Sequence, residues 1–317
     1  EPLDGTFQEA IEAGVNAGET LRPGEYIIRD DSSDPPLATD PFTVAAYDDH
    51  PDVSLYEPQE LTGAALDVLG NPVEGAELTD GYQYIEVRDG VELSVMVRFP
   101  DEGLYGEAPW PTVVELSGYG PSDPDSEEPG SLLARSLGYA TVNVNLRGTG
   151  CSGGVFDTFN PAQMSDGYDI IEVVARQPWV LNEQVGMVGL SYSGITQMYT
   201  AATQPPGLAA ITAQSVIADP WLQQWPGGIY NDGFTREWLE ERERQAGTGA
   251  GWVAERIENG DEQCQANVAD HDLNIDFAAF GRALDMRLAS ADDRDLRLLA
   301  GDIDTAVFLS GAFQDEQ

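Results

Sequence analysis

Val185-Gly-Met-Val-Gly-Leu-Ser-Tyr-Ser-Gly-Ile-Thr-Gln-Met-Tyr-Thr-Ala-Ala202 decides the fold. An apolar run suited to a buried strand ends at Ser191, and an apolar, helix-compatible run leaves it, so Ser191 sits on a sharp strand-to-helix turn. Such a turn is a nucleophile elbow, and it needs small residues two before and two after the serine because its backbone segments come close together. Gly189 and Ser193 meet that need, and Gly194 follows one position later. The five-residue glycine pattern therefore holds only in its small-residue sense. The competing reading, a serine in an ordinary strand-to-helix connection, leaves this clustering of small residues unexplained.

Working outward, the chain alternates strand and helix signals. Tyr82 to Arg88 and Val91 to Phe99 alternate in polarity around Asp89-Gly90, which predicts a hairpin. Apolar runs at Thr112 to Leu116, Ala140 to Leu146, Val185 to Leu190, Ala209 to Ala213 and Thr305 to Leu309 read as strands covered on both faces. Leu132 to Leu137, Asp166 to Arg176 and Ile195 to Ala202 supply helical crossovers. Between Ile217 and Asp302 the strand pattern stops in favour of helical segments, at Thr235 to Gln245, Gly251 to Asn259 and Phe277 to Ala289; Trp238, Leu239 and Arg242 have amphipathic spacing. The expected architecture is α/β: a core at residues 81–216 that resumes at 303–317, with a helical cap inserted at 217–302 over the strand ends where open α/β sheets bind ligands. Residues 1–80 are rich in Pro, Gly and Asp, with β-prone runs at Glu25 to Arg29 and Phe42 to Ala46. They read as a small β-rich acidic module, or else as an irregular leader wrapped around the core.

Composition narrows the function. The 317 residues carry 15 basic and 56 acidic side chains, a formal net charge of −41, and every basic residue is Arg. That surface repels phosphate backbones and anionic lipid, so nucleic acid and membrane are excluded as expected partners. Two readings of the acidity stay open: adaptation to a saline habitat, where salt screens the self-repulsion, or a genome rich in G and C that has replaced Lys by Arg. Cys151 and Cys264 match no metal-ligand spacing, so no metal is expected; they are either one disulfide or two buried thiols. No run of 18 apolar residues occurs. The chain begins at Glu1 rather than Met, which suggests removal of an earlier segment and, with it, a secreted or cell-envelope location.

The stretch from Val185 to Gln197 resembles the nucleophile motif of the cocaine esterase and X-prolyl dipeptidyl-peptidase family of serine hydrolases, Gly-x-Ser-Tyr-x-Gly. Asn145-Leu-Arg-Gly-Thr-Gly-Cys-Ser-Gly-Gly154 is similar to the family's Arg-Gly loop, and Gln177-Pro-Trp179 to its helix end before the nucleophile strand. The resemblance spans Tyr82 to Gln317 and implies an α/β-hydrolase sheet, no cofactor, and cleavage of an ester, an amide or a peptide bond after proline. It implies an oxyanion hole made by the Tyr192 N–H and the hydroxyl of Tyr119, which lies just beyond the strand at Thr112 to Leu116. It further implies a triad acid after a late strand. Asp315 matches the family's Gly-Trp-Tyr-Asp segment, although Glu316-Gln317 departs from the Gly-Phe that follows in some members.

A serine so placed requires an imidazole, and the chain has two. His50 belongs to the acidic leader, and His271, which precedes the acid, reads as a surface residue of the cap. Family order places the catalytic histidine beyond Asp315, followed by a β-rich jelly roll. The expectation is that these residues are the N-terminal portion of a longer hydrolase whose C-terminal remainder supplies the base. Trp221 and Trp225, where the sheet passes into the cap, are candidates to wall a substrate pocket, Trp221 first. The alternative function is a non-catalytic member of the fold that binds a ligand or partner.

Overall fold

The Asp89-Gly90 turn closes the hairpin that opens the main sheet. Gly90, at φ +86°, donates its N–H to the Val87 carbonyl, and Val87 donates to Val91. The computed structural model describes residues 24–26, 29–30, 37–38, 42–44, 77–246, 251–283, 287 and 289–312. In the leader, β1 (Gly24–Tyr26) pairs antiparallel with β4 (Phe42–Val44), and β2 (Arg29–Asp30) with β3 (Leu37–Ala38). The expected β-prone runs fall partly on these strands; the rest of residues 1–76 lies outside the described residues.

The main sheet has seven strands in the order β11-β10-β9-β7-β8-β6-β5. They are β5 (Gly81–Glu86), β6 (Glu92–Arg98), β7 (Trp110–Ser117), β8 (Ala140–Asn145), β9 (Val180–Leu190), β10 (Leu208–Gln214) and β11 (Ala306–Val307). The hairpin β5–β6 joins β8 antiparallel, and the strands from β8 to β11 run parallel. Every residue of β8 is buried. Val114, Val142 and Val144 are wholly removed from solvent, each such burial stabilising by about 1.5–3 kcal/mol. β9 begins five residues before the expected strand because Asn182 and Glu183, both at positive φ, form an irregularity. The ladder skips from Trp110↔Val180 to Thr112↔Val185 across it.

Three helices pack on the sheet, α2 (Pro129–Ser136), α3 (Pro161–Ala175) and α4 (Tyr192–Ala202), while the short α1 (Glu102–Tyr105) buries no residue. All fifteen residues of α3 are buried. It lies so close to α4 that a Cβ on Gly167 would sit 2.1 Å from Thr200 Oγ1. The Arg-Gly loop is tied in by Arg147, a wholly buried cation. Its guanidinium donates to both carboxylate oxygens of Asp166 on α3, at 2.8 and 2.6 Å, and to Asp89 of the hairpin turn at 3.0 Å. A buried Arg is tolerated only when paired in this way.

Between β10 and β11 the chain runs through helices: α5 (Pro220–Gln224), α6 (Phe234–Ala246), α7 (Trp252–Glu258), α8 (Glu262–Val268), α9 (Phe277–Ala283) and α10 (Leu296–Leu299). Three of these, α5, α8 and α10, were not expected. Each is started by an aspartate, Asp219, Asp261 or Asp295, that accepts first-turn backbone N–H groups. Cys151 and Cys264 are bonded, with Cα atoms 4.7 Å apart, fastening the Arg-Gly loop to α8. No described helix is long and apolar enough to cross a membrane, and no metal-binding group of His, Cys, Asp or Glu occurs among the described residues.

Candidate active site

Ser191 adopts φ +60°, ψ −115°, a conformation that L-residues avoid. Its neighbours hold it there. The Ser191 N–H donates to the Gln214 carbonyl of β10 at 2.9 Å, and the Ser191 carbonyl accepts from Ile195 N–H at 2.8 Å. Gly194 makes this possible, since a Cβ there would lie 2.4 Å from the Gln214 carbonyl oxygen. The hydroxyl is left projecting at the carboxyl end of the sheet, and Tyr192 opens α4. As the first residue of the helix, Tyr192 has a backbone N–H without an acceptor in the preceding turn. Its ring is wholly buried.

Tyr119 reaches the same point from β7. The segment Ser117-Gly118-Tyr119-Gly120 turns over the sheet edge: Gly120 has φ +124°, and a Cβ on Gly118 would come within 2.6 Å of the Tyr192 ring. The Ser117 hydroxyl accepts from Tyr119 N–H at 3.1 Å. Tyr119 Oη then lies 3.1 Å from Ser191 Oγ. The two rings meet edge to face, with centroids 5.7 Å apart.

Beneath the elbow lies Glu115 of β7, 1% exposed. Its Oε1 accepts from Ser193 Oγ at 2.9 Å, and its Oε2 from Ser131 Oγ at 2.6 Å and Ser131 N–H at 3.2 Å. Burial pushes this carboxyl up to about 7, despite the serine donors that favour the charged form. Sequence reasoning missed it. The available signal was a carboxylate inside an otherwise apolar strand run.

A cavity of about 540 Å³, including its open mouth, adjoins Ser191. Its walls come from the core at Phe159 and Ile195 and from the insertion at Ile217, Pro220, Phe234 and Trp238. Trp221 is not on this wall. It stacks on Trp225, centroids 5.8 Å apart, because α5 turns its neighbours Pro220 and Gln224 toward the cavity instead. Trp238, read from sequence only as part of an amphipathic helix, is the tryptophan that faces Ser191.

His271 is also corrected. It is not a surface residue but 4% exposed, its Nε2 2.8 Å from the Ser152 carbonyl oxygen, and burial lowers its pKa. His50 and Asp315 lie outside the described residues. The strand leading to Asp315 is visible: Phe308 and Ser310 donate to the Ile211 and Ala213 carbonyls, and Ser310 pairs with Gln214, the residue that holds the Ser191 N–H.

The family profile of the X-Pro dipeptidyl-peptidase (S15 family) matches residues 89–317. The chain belongs to this family. A segment of 149 residues, 45% of this chain, is 31% identical to the cocaine esterase of Rhodococcus sp. (strain MB1 Bresler). Among solved structures, the CocE/NonD family hydrolase SACOL2612 from Staphylococcus aureus superposes over 75% of this chain and 46% of its own, with TM-score 0.55 and 21% identity. An aminopeptidase from the marine sediment archaeon Thaumarchaeota archaeon covers 78% of this chain and 46% of its own, with TM-score 0.56 and 17% identity. The family's fold is thus the one the sheet displays, an α/β-hydrolase. The matched segment spans about a quarter of the length of the curated relatives.

Proposed function

We propose that this chain carries the nucleophile half of a serine hydrolase that cleaves an ester or amide bond through a Ser-Asp-His triad. The observation that carries the reading is Ser191 held at a strained elbow with the Tyr119 phenol 3.1 Å from its Oγ. Backbone strain of this kind persists at functional sites because the surroundings enforce it.

In this mechanism Ser191 Oγ attacks the substrate carbonyl carbon while its proton passes to the triad histidine. The carbonyl oxygen becomes an oxyanion, stabilised by the Tyr119 O–H and the Tyr192 N–H; one such donor contributes on the order of 10²–10³ in rate. The histidine then protonates the leaving alcohol or amine, and water releases the acyl group by the same path. Asp315, five residues beyond the paired Ser310, orients the imidazole. We assign that imidazole to a C-terminal remainder of the polypeptide, where family order would place it; His271 is engaged with the Ser152 carbonyl. The apolar wall beside Ser191 suits a small uncharged acyl, aryl or prolyl group, with the insertion at 217–302 acting as its cap. No cofactor takes part. The Cys151–Cys264 disulfide supports a secreted or cell-envelope location, since such bonds persist in oxidising compartments.

The test is labelling of the full polypeptide with a fluorophosphonate. Covalent mass on Ser191, lost in Ser191→Ala, is the expected result. A folded full-length protein that takes up no label would refute the assignment and leave a ligand-binding role for the fold.

A further inference from the structure

The insertion does more than wall the cavity. Trp238 on α6 places its indole Nε1 3.2 Å from Tyr119 Oη. An indole N–H only donates, so the phenol oxygen must accept from it. Tyr119 has a single proton, and with one lone pair engaged by Trp238 that proton is directed toward Ser191 Oγ, 3.1 Å away. Accepting one hydrogen bond also makes the phenol a better donor of the next.

Arg242, one helical turn further along α6, adds charge to this geometry. Its guanidinium carbon lies 4.7 Å from the centroid of the Tyr119 ring and 6.0 Å from that of Trp238. The side chain is 10% exposed; its NH1 donates to Gln245 at 2.7 Å, and the Glu241 carboxylate is 4.0 Å from its NH2. Its Nε has no hydrogen-bond acceptor among the described residues. Besides Glu241, the Glu128 carboxylate also feels its charge, and a cation packed over two aromatic rings costs desolvation that a surface placement would avoid. Over a phenol, it favours the charge distribution the ring takes when its proton is shared with an oxyanion. Trp238 is itself locked: its ring stacks on Phe159 at an interplanar angle of 13° and packs against Tyr192, centroids 5.5 Å apart.

We infer that Trp238 is a positioning residue that orients the Tyr119 proton toward the reacting oxygen, with Arg242 polarising the same phenol, so that docking of α6 completes the oxyanion hole. This rests on Tyr119 being the oxyanion donor. It makes the insertion part of the rate-determining machinery and not only of substrate selection.

The experiment is a double-mutant cycle on the full polypeptide with p-nitrophenyl acetate and p-nitrophenyl butyrate. Tyr119→Phe is expected to lower kcat by about 10²–10³. Trp238→Phe, which keeps an aromatic ring but removes the N–H, is expected to lower kcat roughly 10–50-fold with KM within about twofold, the signature of an interaction made in the transition state. The double variant should match Tyr119→Phe alone, since without the phenol the indole has nothing to orient. Replacing Trp238 by benzothienylalanine, which preserves the shape and lacks only the N–H, should reproduce the kcat loss with unchanged melting temperature. Multiplying effects, or a Trp238→Phe defect confined to KM, would overturn the inference and leave Trp238 as pocket wall. A Tyr119→Phe enzyme of full activity would instead remove the oxyanion assignment on which it rests.

Discussion

Glu115 offers the sharpest test of how the elbow is supported. The carboxyl lies under Ser193 and Ser131 in the core, and burial raises it to about 7 from its ordinary 4.5. The sign follows from proton linkage. Below pH 4.5 the group is protonated in both folded and unfolded chains and contributes no pH dependence. Between 4.5 and about 7 the unfolded chain releases its proton while the folded chain keeps it, so rising pH favours unfolding. At about 1.4 kcal/mol per pH unit, this interval carries roughly 3 kcal/mol, all of it lost by pH 8. Glu115→Gln removes the titration and keeps the contacts. The amide oxygen accepts from Ser131, and the amide nitrogen donates to Ser193 Oγ, whose own proton turns to the Leu190 carbonyl 3.3 Å away. Both proteins should be melted at fixed, high salt from pH 5 to 8.5, so that the net charge of −41 is screened equally. Because part of the effect is already lost by pH 5, the variant should gain on the parent by about 2.5 kcal/mol across that range, or roughly 5–10 °C in melting temperature. His271, whose lowered pKa acts in the opposite direction, is common to both and cancels. Parallel pH curves would refute the reasoning: Glu115 would then be ionised in the fold as readily as in the unfolded chain.

Two further outcomes follow from the packing. Gly194→Ala forces a methyl to within 2.4 Å of the Gln214 carbonyl oxygen and should cost about 3 kcal/mol or prevent folding, as overpacking against immobile backbone does; an unchanged thermal midpoint would exclude the close approach. The Cys151–Cys264 bond spans 113 residues, and in the chain-entropy account a loop of this size contributes about 4–5 kcal/mol. The Cys151→Ala, Cys264→Ala double variant should therefore melt well below the parent under non-reducing conditions, while dithiothreitol should lower the midpoint of the parent alone.

The parts of the fold legible in sequence are those fixed by local pattern. Ala140 to Leu146 is apolar enough to be a doubly covered strand, and β8 is just that; Asp89-Gly90 between alternating runs is a hairpin because few other turns suit those residues. Ser191 was legible because the elbow demands small residues at fixed offsets. The missed parts depend on partners distant in sequence. Trp221 and Trp238 have the same chemistry, and only the direction in which α5 and α6 dock decides which one faces Ser191. The histidine in Ala269-Asp-His-Asp272 sits among charges, which argued for the surface, yet it is buried against Ser152, 119 residues away. Cys151 and Cys264 left two readings open until the loop and α8 were seen side by side.

The departure of the elbow from a glycine two residues after the serine has a spatial explanation. A Cβ on Gly189, at φ +146°, would lie 2.4 Å from the Cβ of Ser193 and 3.0 Å from Glu115 Oε1. The two positions flanking Ser191 thus share room for a single Cβ, and either could in principle take it. Position 189 cannot, because its φ is one that a side chain strains against. Position 193 can, because it lies inside a helix in ordinary conformation. Having a Cβ there allows a hydroxyl, and that hydroxyl is one of the three donors that meet the buried Glu115 carboxyl. The serine at 193 and the carboxylate at 115 therefore explain each other: the former is tolerated because 189 is glycine, and it supplies a partner without which an acid in the middle of β7 would be left short of donors. The glycine that the pattern lacks at 193 appears at 194 for a different reason, the contact with the Gln214 backbone that anchors the Ser191 N–H. What reads in sequence as a motif shifted by one residue is, in three dimensions, two separate steric requirements met by adjacent positions.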